Sequence, residues 1–203
     1  MRFARTRAVT KSLLVGFLVV LMLAAPVSAA TPAGPVASVD VYAPDPVGLV
    51  GGNIKANVRI GHVGYLFGYQ FTLHFDPDVL QVEDAVPSLP GVQIGDGDVF
   101  DGKPLSKVET VDNGTGEIVF SNFLVGPGDF VTITAPNTAL LAEITFKVVG
   151  PGTSPLSFDQ TEGTNALSNC DALPIASEWT DGSVQGVVPR EKLYVPLVAS
   201  DWR

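Results

Sequence analysis

The 203-residue sequence has one cysteine, two histidines and two tryptophans, and each scarcity removes a class of explanation. The lone Cys170 cannot close an internal disulfide, so an exported domain of this sequence must be held by its apolar core. A free, buried thiol is the expectation. His62 and His74 are the only neutral-pH bases, and neither sits in a nucleophile or metal pattern. Neither Gly-x-Ser-x-Gly nor His-Glu-x-x-His occurs. Carboxylates are abundant, but a glycosidase would usually add several aromatic sugar platforms, and Trp179 and Trp202 are the sole tryptophans. The reading is a non-enzyme, with no catalytic residue, no metal ligand and no cofactor assigned.

Positive charge is also scarce, and a third of it lies at the start. Arg2, Arg5, Arg7 and Lys11 precede an apolar run from Leu13 to Ala25, and Val27-Ser28-Ala29 supplies small residues for cleavage. These are the marks of a secretory signal peptide over residues 1–30. The run falls short of the roughly 20 apolar residues that cross a bilayer, so the membrane is expected to be met only during export. Beyond it, eight basic residues face 21 acidic ones, a net charge of −13. Such a chain repels phosphate backbones, which disfavours nucleic acid as a partner. A secreted protein, extracellular or associated with a cell surface, is expected.

The remaining roughly 170 residues suffice for one domain with a substantial core. Their strongest pattern is Phe67, Tyr69, Phe71, Leu73 and Phe75, alternating with Gly68, Gln70, Thr72 and His74. That is the period of a strand buried on one face, and Asp76-Pro77 should end it. Segments 36–42, 54–60, 79–82, 117–125 and 140–149 also read as strands, with possible edges at 156–158 and 183–187. Gly51-Gly52-Asn53, Gly61 to Gly64, Asp112 to Gly116 and Val149 to Gly152 read as turns between them. No segment has a convincing helical pattern. The expected fold is all-β: a two-sheet antiparallel β-sandwich.

The order of these signatures resembles a cohesin module, the receptor half of cohesin–dockerin pairs. The resemblance rests on Gly51-Gly52-Asn53-Ile54-Lys55-Ala56-Asn57-Val58-Arg59-Ile60, the aromatic strand ending in Phe75-Asp76-Pro77 before Val79-Leu80, Ile144-Thr145-Phe146, Gly152 to Leu156, and Asp181-Gly182-Ser183-Val184. It implies a jelly-roll sandwich of about nine strands, spanning residues 31–188, with residues 189–203 left as a tail or extra edge strand. It also implies a dockerin-like, calcium-loaded helical partner that docks on one sheet face, to which the aromatic-rich strand contributes. Gln70, Thr72 and His74 are the outward candidates on that strand. On the 117–125 strand, either Ile118, Phe120, Asn122 and Leu124 or Val119, Ser121, Phe123 and Val125 can face out, which makes Ser121, Asn122 and Phe123 the further candidates. Two alternatives remain: a carbohydrate-binding module on the same scaffold, with polysaccharide stacked on an exposed aromatic row, and structural self-association through an edge strand.

Three further features have ordinary readings. Asp96-Gly97-Asp98-Val99-Phe100-Asp101-Gly102 superficially resembles a calcium loop, but Phe100 occupies a ligand position, so a polar inter-strand loop is the better reading. Asn113-Gly114-Thr115 matches a glycosylation sequon, yet Asn-Gly also reads as a hairpin turn. Tyr194-Val195-Pro196-Leu197-Val198 resembles a short tail found on many bacterial secreted proteins.

Overall fold

The computed structural model describes residues 36–126 and 128–189. The segment expected to be a signal peptide, residues 1–30, and the C-terminal segment from Arg190 onward lie outside the described residues. Within them the chain is all-β, with no helix. Twelve strands follow in order: β1 Ala37–Tyr42, β2 Val47–Leu49, β3 Asn53–His74, β4 Leu80–Val82, β5 Gly95–Asp96, β6 Leu105–Asp112, β7 Glu117–Leu124, β8 Val131–Val148, β9 Gly152–Phe158, β10 Ala166–Asn169, β11 Ser177–Thr180 and β12 Gly182–Val187.

The expected β-sandwich is present, and its organiser is the 22-residue strand β3, which serves both layers. The first half of β3, through Gly61, pairs with β1 on one side and with β8 on the other. Its second half, from Gly68 to His74, pairs with β7, and β10 takes the opposite edge from Leu66 to Gln70. β4 and β5 extend the first layer beyond β8, and β6 extends the second beyond β7. β9 joins the end of β3 and leads through β12 to β2. Pairing is antiparallel except for β1 with β11 and β12 with β2, which are parallel.

Gly61 to Gly64 is not the expected turn. The strand continues through it as an irregular segment, with register shifts against β8 between Gly61 and Val63 and again between Val63 and Leu66. His62 and Tyr65 there have left-handed φ angles of 53° and 57°. For non-glycine residues this costs on the order of 1–2 kcal/mol each, offset by the ladder bonds kept on either side. The extra residues re-aim the strand from one layer to the other.

The strand ends where Asp76-Pro77 predicts. Asp76 accepts the Asp78 N–H on its side chain at 2.9 Å and the Leu80 N–H on its carbonyl at 2.9 Å, making a local turn. The β6–β7 hairpin also closes as expected, but as a four-residue loop whose left-handed position is Gly116 (φ 74°). A Cβ on Gly116 would stand 2.1 Å from the Phe75 carbonyl, so side chain and conformation both exclude other residues there.

Between the layers lie Phe71, Phe120, Phe146 and Phe158, all fully buried. Phe71 meets Phe120 with ring centroids 5.5 Å apart and Phe158 edge-on at 6.1 Å, while Phe75 meets Phe146 at 5.3 Å. Each such side chain contributes about 1.5–3 kcal/mol by leaving water. Tyr69 lies among them and donates its hydroxyl to the Leu141 carbonyl at 2.6 Å; burial pushes its ionisation well above the usual phenol range.

Candidate protein-docking face

The second layer, ordered β6–β7–β3–β10, places the expected outward residues in cross-strand rows. Gly68 stands opposite Phe123 on one side and Ser168 on the other. Gln70 stands between Ser121 and Ala166, Thr72 opposite Val119, and His74 between Glu117 and Ser157. β6 continues the rows with Ser106 opposite Phe123 and Val108 opposite Ser121. Phe123 is 40% exposed and Val108 58%.

Phe123 and Ser168 crowd Gly68 from the two neighbouring strands. A Cβ on Gly68 would come 2.9 Å from the Phe123 Cβ and 3.2 Å from the Ser168 hydroxyl. The result is a groove of about 340 Å³ with Gly68 among its lining residues and Phe67, Phe123, Ala166 and Ala172 supplying apolar surface. At the other end of the strand, the His74 imidazole lies 3.5 Å from Asp159 and 3.9 Å from Glu117. The Asp159 carboxyl is held below the usual range by hydrogen bonds from Thr161, with His74 adding to them.

Four of the six candidate residues, Gln70, His74, Ser121 and Phe123, share this face. Asn122 does not: it is 2% exposed and points into the core, because neighbouring residues of a strand face opposite sides. The outward set of β7 is Val119, Ser121 and Phe123. Thr72 is on the correct side of β3 but only 7% exposed. The 159–165 loop runs along it: its N–H donates to the Asn165 side chain at 3.0 Å, and its carbonyl accepts the Asp159 N–H at 2.9 Å. Val108, Ser106, Ala166 and Ser168 were not anticipated, since neither β6 nor β10 was read as a strand.

Other expectations resolve by contact. Cys170 is exposed, not buried, since it occupies the turn after β10 that Asn169 closes by accepting the Asp171 and Leu173 N–H groups. The 96–102 segment is a packed loop: Asp96 pairs with Lys107 at 2.9 Å, Asp98 accepts the Leu140 N–H at 2.7 Å, and Val99 and Phe100 are buried. Among the described residues, no three His, Cys, Asp or Glu side chains cluster to hold a metal ion. Asn113 of the sequon is engaged with its own fold, donating to the Val82 carbonyl at 3.0 Å and accepting the Val82 N–H at 2.7 Å. Of the described Trp and Tyr residues, Trp179 packs on Phe158 at 5.0 Å and Tyr69 is in the core, whereas Tyr42, beneath Arg59 at 4.3 Å, and Tyr65, against Phe130 at 4.9 Å, are exposed.

The fold and this face define a β-sandwich module. The cohesin domain family model matches residues 39–185, and the chain belongs to the cohesin family. Solved structures with the same fold include a type II cohesin domain from the cellulosome of Acetivibrio cellulolyticus, 21% identical, covering 74% of this chain and 95% of that one at a TM-score of 0.63. A mutant type II cohesin–X-dockerin complex from the same organism matches at 16% identity, covering 74% of this chain and 99% of that one, with a TM-score of 0.63. A non-cellulosomal cohesin from the archaeon Archaeoglobus fulgidus matches at 14% identity, 75% and 91% coverage and a TM-score of 0.55. No curated protein gives a significant match.

Proposed function

We propose that this protein is a secreted, non-catalytic receptor module that binds a dockerin-like, calcium-loaded helical module through the β6–β7–β3–β10 face. The observation that carries the reading is the composition of that face over Gly68 to Gln70. Gly68, Gln70, Ser121, Ser168 and Ala166 make a small, uncharged floor beside one half-exposed aromatic ring. Interface centres are depleted of charge and anchored by aromatic residues, which is the pattern here. Membership of the cohesin family supports the partner class, as does the likeness in fold to a cohesin that was solved in complex with an X-dockerin. Gln70, Ser121 and Phe123 form the centre of the contact and His74 its rim. Export follows from the basic and apolar N-terminal segment.

The test is to immobilise the protein, pass over it the proteins released by its source with and without calcium, and identify by mass spectrometry what is retained. Calcium-dependent recovery of a dockerin-bearing protein, lost with Phe123→Ala, is the expected outcome. Recovery that survives Phe123→Ala and Ser121→Arg together would count against this face.

A further inference from the structure

The candidate face is not uniform along its strands. Toward Gly68 it is apolar: beside the groove, Val108, Phe123 and Val125 are 58%, 40% and 52% exposed. Toward His74 it is acidic. Glu117 and Asp159 flank the imidazole, and Asp112 stands opposite Glu117 in the ladder. Lysine and arginine among the described residues do not neutralise this corner. Lys55 is paired with Glu143, Arg59 with Asp40, Lys103 with Asp129 and Lys107 with Asp96 and Glu109, while Lys147 lies on β8 opposite Asn53 and Gln81.

Gly68 and His74 are six residues apart on one strand, about 20 Å at roughly 3.3 Å per residue. A helix rises about 1.5 Å and turns about 100° per residue, so one laid along β3 spans that distance and returns to the same face in about 14 residues. We infer that the face reads a helix of the partner in one orientation. The groove over Gly68 takes a single bulky apolar side chain, and Glu117 with Asp159 takes a lysine or arginine about 14 residues along the same face of that helix. This rests on the docking reading above and adds the side-chain chemistry and direction of the partner. The apolar knob supplies most of the affinity, because it is the part fully removed from water. The basic residue supplies direction and salt dependence, because exposed charges at a rim are screened and act chiefly on association.

The experiment is a displayed library of two-helix hairpins, randomised along one exposed face and selected on the full chain. Selected binders are expected to carry a large apolar residue and a Lys or Arg about 14 positions apart on one helix face. They should lose tenfold or more in affinity on Ser121→Trp, which fills the groove, and several-fold on Glu117→Lys. The Glu117→Lys loss should shrink as salt rises from about 0.1 to about 0.5 M. Should Ser121→Trp lower the melting temperature, Ala166→Gln gives the same readout from the opposite wall. Binders that tolerate both substitutions, binders without the spaced pair, or a library that yields none overturn the inference. A dockerin retained with calcium but indifferent to Glu117→Lys and to salt overturns the orientation and leaves the docking reading intact. Convergent library binders with no dockerin retained overturn the docking reading alone.

Discussion

The two halves of β3 share one backbone and one core, yet the surfaces they build are opposites. On the Asn53–Arg59 half, Lys55 pairs with Glu143 at 2.6 Å, Arg59 with Asp40 and Asn53 with Glu83, while the Asn57 side-chain oxygen is buried without a partner. Arg59 also covers Tyr42 with its guanidinium. On the Gly68–His74 half, the outward positions hold no lysine or arginine, and a phenylalanine is left partly uncovered. A surface that satisfies its own charges gains nothing by meeting a partner and would have to break its pairs to do so. One that exposes an uncharged groove gains by being covered. The difference favours the Gly68–His74 half as the proposed docking face.

Five measurements break or sharpen this contrast. Phe71→Ala removes a ring that touches both Phe120 and Phe158 and should cost about 3–5 kcal/mol. Both halves of β3 should loosen together, seen in urea unfolding as a lower midpoint at unchanged slope. Phe123→Ala separates the halves: affinity for a retained dockerin should fall at least thirtyfold, about 2 kcal/mol, with the melting temperature unmoved. Lys55→Gln on the opposite face should leave titration calorimetry of the same pair unchanged. An affinity loss equal to that of Phe123→Ala would erase the distinction between the faces.

Gly68→Ala tests the groove from below. Its Cβ would stand 2.9 Å from the Phe123 Cβ, an atom fixed to the β7 backbone, so the two strands must shift apart and the cost should be about 1–3 kcal/mol. Denaturant melts and binding of the same variant distinguish a closed groove from a weakened strand. The smallest effect is electrostatic. Hydrogen bonds from the Gly114 and Thr115 N–H groups hold the exposed Asp112 carboxyl below its ordinary value of 3.8. Because the folded value is the lower one, its contribution is present above pH 3.8 and is lost as pH falls through that folded value. Asp112→Ala should therefore lower stability slightly at pH 7, change little below the folded value, and so flatten the acid limb of the stability curve in melts across a pH series.

The sequence made the centre of the molecule legible because aromatic alternation at 67–75 has no other reading. It concealed the edges. In β6, Leu105, Val108 and Val111 are three apart, so they break the period of two that marks a half-buried strand. Structurally, Val108 faces out while Val111 packs on the core, and Lys107 takes an inward position. The Gly61 to Gly64 segment has turn composition, but pairing with β8 keeps the chain running through it. On the face itself, β3 supplied three candidates of the correct side. The covering of Thr72 could not be foreseen, because it depends on where a loop ninety residues later comes to rest.

Lys107 has a consequence for how far this sheet can grow. Among the described residues β6 pairs with β7 alone, so its other edge offers free backbone groups to any passing strand. The ammonium on that strand is turned inward, held by Asp96 at 2.9 Å and Glu109 at 3.2 Å; burial works against its charge, and the two carboxylates outweigh it. A second copy adding a strand there would have to pack over this charged cluster and strip it of its remaining water. The open edge thereby carries an inward charge of the kind that discourages strand addition.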